Sequence, residues 1–150
     1  MEIIRAGVPE DKRSYSSVKS DDEIGTGYAR STIDSAKAWS AKTKKEGEWI
    51  QLDLGQEEVV IGTAIQGRVD SDQYVLEYTV STSVDGTEWV EVPGVYNGDL
   101  RDIITENLFS DSTSVYARYV RLIVKSWNKN ISLRADVLIV GGTGTPASII

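Results

Sequence analysis

The chain has 150 residues, a length that suits one domain burying roughly 68–70% of the surface its unfolded chain exposes. It contains neither Cys nor His, which excludes a disulfide framework, Cys/His zinc sites, His-ligated haem, thiol nucleophiles and Ser-His-Asp catalysis. With 16 Lys plus Arg against 23 Asp plus Glu, the net charge of −7 argues against a nucleic-acid backbone or an anionic membrane as a broad electrostatic partner.

The opening run Met1 to Ala6 is too short and too polar for the core of a signal peptide. No stretch approaches the roughly 18 apolar residues of a membrane span. Residues 1–48 read as loop-rich, with Ser, Asp and Gly clusters at Ser14 to Ser20 and Asp21 to Gly27. From there period-2 runs bounded by turn residues dominate, the signature of a β-protein. Trp49 to Gly55 alternates Ile50, Leu52 and Leu54 against Trp49, Gln51 and Asp53, and Val59 to Ile65 is apolar on both faces. Val75 to Ser83 is a strand whose partner, Glu88 to Val92, returns through the Asp85-Gly86 turn, the clearest hairpin signal in the chain. Val115 to Val124 and Leu133 to Val140 carry apolar residues on both faces and read as central strands. The closing Gly141 to Pro146 reads as a tail or linker, giving a domain over 1–140 and a flexible segment over 141–150. No segment shows a sustained helical period, so the expected class is all-β, an antiparallel sandwich of jelly-roll type or a Greek-key barrel.

The order of fragments narrows this further. Trp49-Ile50-Gln51-Leu52-Asp53-Leu54-Gly55, Ile65-Gln66-Gly67-Arg68, Tyr78 to Trp89 with its Asp85-Gly86 turn, Ala117-Arg118-Tyr119-Val120-Arg121-Leu122 and Ser126 to Arg134 together resemble the discoidin, or coagulation factor V/VIII type C, family. The resemblance spans about residues 14 to 140, and Gln66 to Val75 is especially similar to the slime-mould discoidins. It implies an eight-stranded jelly-roll sandwich whose loops at one end hold a ligand without catalysis. Ligands in the family range from galactose-type sugars through phosphatidylserine to collagen and other proteins. The slime-mould likeness favours a lectin-like sugar-binding role in adhesion or targeting, with a protein-interaction module as the alternative. It also implies an extracellular or cell-surface setting, and the possibility of oligomers or tandem copies in a larger protein.

Several residues are candidates for the ligand site. Arg68, at a strand end, can fork onto vicinal hydroxyls or a carboxylate; alternatively it pairs with Asp53 or another acid and knits the barrel end together. Asp70 and Asp72, in the same polar loop, can accept hydrogen bonds from sugar hydroxyls or form a solvated acidic turn, and the loop is too hydrophilic for insertion into a bilayer. Tyr28, Tyr74 and Trp127 are candidate plates for the C–H face of a sugar, Trp127 equally a packing residue, while Trp39, Trp49 and Trp89 read as structural. By resemblance, Asp34 in a calcium-wrapping loop and Asp136 as a late acidic partner would hold a structural Ca²⁺; Asp34 otherwise caps a turn. Family galactose binders commonly use His with Arg and Asn; this chain has no His, so Lys42 or Arg30 would have to supply the missing donor or the ligand differs. Asn130-Ile131-Ser132 is a glycosylation sequon, relevant to a secreted chain.

Overall fold

A computed structural model describes residues 2–69, 71–98 and 103–141. Among them are nine strands: β1 (Glu2–Arg5), β2 (Arg13–Tyr15), β3 (Trp39–Ser40), β4 (Trp49–Gln66), β5 (Tyr74–Ser83), β6 (Val90–Asn97), β7 (Thr105–Leu108), β8 (Val115–Asn128) and β9 (Ser132–Gly141). Every pairing is antiparallel, along the path β1-β9-β4-β8-β5-β6, with β2 and β7 on β4 and β3 on β9.

The two runs expected at 49–55 and 59–65 are one strand that changes sheets. Asp53 lies opposite Tyr119 and Glu58 opposite Ala117, so Leu54 to Glu57 form a bulge facing the single residue Arg118. Gly55 sits there at φ +84, a left-handed conformation that a side chain would strain. Asp53 closes the bulge: its carboxylate accepts from the Arg118 guanidinium at 2.9 and 3.1 Å and from the Gly55 N–H at 2.8 Å. Before the bulge β4 pairs with β2 and β8; beyond it, pairing with β8 continues from Glu58 to Val60 and then gives way to β9 and β7. The bend folds the hydrogen-bonded path into two layers.

Between the layers lie Ile50, Leu52, Tyr78, Val80, Val120 and Leu122 from one side and Leu133, Ala135, Val137 and Ile139 of β9 from the other. The opposite face of β9 is also buried, although it carries Ser132, Arg134 and Asp136. Residues 6–13 and 31–35 cover that face and contribute its hydrogen-bond partners. The short strands β1, β2 and β3 lie within the stretch that reads as loop. β1 is an edge strand exposed along its whole length, so it shows no alternation between a buried and a solvated face. β9 extends through Gly141, and residues 142–150, expected as a tail, lie outside the described residues.

Candidate functional site

Strand ends converge at one end of the sandwich. Gln66 closes β4 opposite Arg134, Tyr74 opens β5 opposite Asn128, and Ser132 opens β9 opposite Ser40. Loops 16–38, 67–73 and 129–131 project from this end. The sheets beneath fix their anchor points.

The loop after Gln66 carries the chain from β4 to β5, two strands that do not pair with each other, and the Arg68 N–H donates to the Gln73 carbonyl at 3.1 Å. The Arg68 guanidinium is half-buried, donates to Gln73 Oε1 at 3.2 Å and lies 5.7 Å from the Tyr28 ring centre. Lys19 Nζ approaches the same ring at 5.0 Å, so Tyr28 is a half-buried plate attended by two cations. Its backbone N–H donates to Asp22 Oδ2 at 2.9 Å, which fixes where the ring stands. Gln73 Oε1 also accepts from Ser132 Oγ at 3.2 Å, which in turn shares a hydrogen bond of 2.8 Å with Ser40 Oγ. The Asp72 carbonyl accepts from Asn128 Nδ2 at 2.6 Å and its carboxylate pairs with Lys129 at 3.4 Å.

The structure thus brings Tyr28, Arg68 and Gln73 together, with Asp72, Asn128 and Lys129 beside them. Asp70 lies outside the described residues. Tyr74 is half-buried at the start of β5, and Trp127 packs partly against the core, in keeping with its packing alternative. The pairing of Arg68 with Asp53 does not form, because Asp53 belongs to the bulge and holds Arg118. Lys42 is exposed and paired with Asp21 at 2.9 Å. Trp39 is fully buried, stacked on Tyr15 with ring centres 5.5 Å apart. Trp49 and Trp89 flank the Arg121 guanidinium, 4.1 Å from each ring centre.

Loop 29–38 behind this rim is held from several sides. Asp34 has φ +65, and its backbone N–H and Oδ1 pair reciprocally with the Gln66 amide at 2.8 and 3.0 Å. The buried Arg134 donates to the carbonyls of Ser35 at 2.9 Å and Gly67 at 2.8 Å, tying this loop to the one that carries Arg68. Glu10 accepts from the N–H groups of Ser31 and Thr32 at 3.1 and 3.2 Å. Arg13 donates to the carbonyls of Val8 at 2.9 Å, Ser31 at 2.8 Å and Ala135 at 2.6 Å. Burial lowers the pKa of Arg13, opposed by the nearby Asp136 carboxylate.

Asp34, Asp136 and Arg13 all line one groove. Asp136 is buried; Oδ2 accepts from the Gly7 N–H at 2.8 Å, and Oδ1 from the N–H groups of Val137 at 2.8 Å and Val8 at 3.5 Å. Among the described residues no group of three or more metal-ligating acidic side chains forms. A divalent ion here would meet a fixed guanidinium and a carboxylate already engaged by backbone donors. This donor set does not fit calcium.

Sequence reasoning missed Glu10, Arg13, Gln66, Gln73 and Arg134 as the residues that shape the rim. A signal existed for Arg134, a charge inside a run that is apolar on both faces and therefore obliged to find buried partners.

Comparison with known proteins agrees with this architecture. Residues 14–137 match the family model described as the F5/8 type C domain. Lactadherin from Rattus norvegicus is 38% identical over 109 residues, covering 67% of this chain and 25% of its own length. Coagulation factor V from Bos taurus is 30% identical over 111 residues, covering 67% of this chain and 5% of its own length. The chain therefore spans a quarter or less of these two relatives. Among solved structures, discoidin II of Dictyostelium discoideum superposes with a TM-score of 0.66 at 21% identity, over 85% of this chain and 54% of that one. CpGH89CBM32-5 from Clostridium perfringens, in complex with GalNAc-β-1,3-galactose, gives 0.69 at 19% identity over 89% and 99%. The family is one of non-catalytic ligand-binding modules. With its matching sequence, sandwich and converging loops, this chain belongs to the F5/8 type C domain family.

Proposed function

We propose that the domain is a lectin-like module that holds a galactose-type sugar at the Tyr28–Arg68–Gln73 rim, serving cell adhesion or targeting. The observation that carries this reading is the grouping itself: a guanidinium, a carboxamide and a phenol ring stand together on loops anchored to a rigid sandwich. Sugar hydroxyls need donors and acceptors in fixed positions, and the apolar C–H face needs an aromatic surface; this rim has both. Arg68 donates, Gln73 donates and accepts, and Asp72 lies alongside as an acceptor. Support also comes from the similar fold of CpGH89CBM32-5, bound to a galactose-containing disaccharide. A glycan partner puts the encounter outside the cell or at its surface. One shallow rim binds weakly, so useful avidity comes from several copies.

The test is a glycan array followed by calorimetric titration. Saturable binding to galactosides or N-acetylgalactosamine is expected, and Arg68→Ala should weaken it about 10- to 100-fold while Tm stays within about 2 °C. A flat response across galactosides, glucans and uronates, with capture of a protein partner instead, would overturn the sugar reading.

A further inference from the structure

Thr32, Ile33 and Asp34 of loop 29–38 line the groove behind the rim, and the neighbouring Ser31 carbonyl accepts from a side chain of the same protein, Arg13. The Arg13 guanidinium is 2% exposed. Nε and Nη2 donate to the Val8 carbonyl at 3.0 and 2.9 Å, and Nη1 reaches the Ser31 carbonyl, Ser31 Oγ and the Ala135 carbonyl at 2.8, 3.1 and 2.6 Å. These oxygens come from three places: the segment after β1, loop 29–38, and β9. Tyr15 holds Ser31 Oγ in place at 2.7 Å. Asp136 lines the same groove and supplies countercharge. Carbonyls, a hydroxyl and a nearby carboxylate converging from separate segments are the kind of oxygen set that surrounds a hard cation.

We propose that the Arg13 guanidinium is the resident cation of this oxygen cage, so that loop 29–38 and the rim in front of it are fixed without a metal ion. The planar fork suits the task better than a point charge, because it bridges carbonyls that lie in different directions. Its charge persists at any pH at which the protein is folded. Two consequences follow. The wild-type domain is indifferent to calcium and to chelators, and removing the guanidinium leaves an oxygen-lined space, open to the groove, with an affinity for calcium that the parent lacks.

The test uses the whole chain and reads stability rather than sugar binding, so its outcome is independent of the lectin reading. Scanning calorimetry of the wild type in chelator and in millimolar calcium should give Tm values within about 1 °C. An ion at about one hundred times its Kd would raise Tm by roughly 5–10 °C. Arg13→Ala should melt lower in chelator, or be unfolded by circular dichroism, and recover folded signal or Tm on adding calcium. Arg13→Lys, which keeps a positive charge in the cage, should melt lower than wild type without responding to calcium. A calcium-dependent rise of several degrees in the wild type would overturn the proposal. So would an Arg13→Ala variant whose folding calcium does not improve.

Discussion

Arg134→Met removes a buried fork while leaving an apolar stem of similar length. In the parent that fork donates to the Gly67 and Ser35 carbonyls at 2.8 and 2.9 Å, from a side chain only 2% exposed. Each buried carbonyl that loses its donor costs about 1–3 kcal/mol, or about 2–6 kcal/mol for the two. Relief of the guanidinium's desolvation returns part of this, so a net loss of about 2–4 kcal/mol is expected. For a domain of this size that lowers Tm by roughly 4–15 °C. Gly67 precedes Arg68 and Ser35 follows Asp34, so the same change loosens both loops behind the rim. Calorimetric melting and sugar titration of one sample separate the two effects, with affinity falling alongside Tm. Arg134→Lys should fall between, because one ammonium cannot match the fork's geometry. If Arg134→Met melts within about 1 °C of the parent, the buried fork does not tie these loops together.

Three further outcomes follow from the packing. Tyr78 bridges Thr63 Oγ1 at 2.7 Å and Asn107 Nδ2 at 2.8 Å in the core, so Tyr78→Phe should cost about 1–3 kcal/mol in urea unfolding. Burial pushes the Tyr78 phenol up to about 12, and this cost should therefore be the same at neutral and mildly alkaline pH. A Cβ at Gly62 would stand 2.2 Å from the Asn107 carbonyl oxygen and 3.0 Å from Leu108 Cα, so Gly62→Ala should force β7 away from β4 and lower Tm by several degrees. Burial raises the Glu48 carboxyl, but hydrogen bonds from Ser16, Thr43 and Ser17 outweigh it and hold the group below its ordinary value. A depressed carboxylate stabilises the fold above its unfolded pKa and loses that contribution as pH falls through the folded one. Glu48→Gln should be less stable at neutral pH and show a shallower acid limb in stability against pH.

The sheet was legible wherever one strand carried its own contrast. Asp85-Gly86 between alternating runs marks the β5–β6 hairpin, and apolar residues on both faces mark β8 and β9 as central. β4 reads as two strands because Gly55, Gln56 and Glu57 look like a break, whereas a bulge carries the chain through without interruption. β1 was hidden because Ile3 and Ile4 are both exposed on an edge, leaving no period to detect. At the rim, Arg68 and Tyr28 were legible from their types and loop positions. Their juxtaposition across 40 residues of sequence was not, since only the fold brings loop 16–38 against loop 67–73. Arg13 was hidden for another reason: a charged residue in a short strand ordinarily signals a solvated face, and here the packing buries it among the Val8, Ser31 and Ala135 carbonyls, while Arg134 carried a signal in its apolar run but none that named its partners.

The central claim, that this end of the sandwich captures a glycan, is tested most directly by amide chemical-shift mapping during titration with GalNAc-β-1,3-galactose. Saturable shifts are expected to cluster at Tyr28, Arg68, Gln73, Asp72 and Asn128, with the bulge around Gly55 and the Asp85-Gly86 turn at the far end unchanged. Shifts centred on that far end, or none at any sugar concentration, would contradict it.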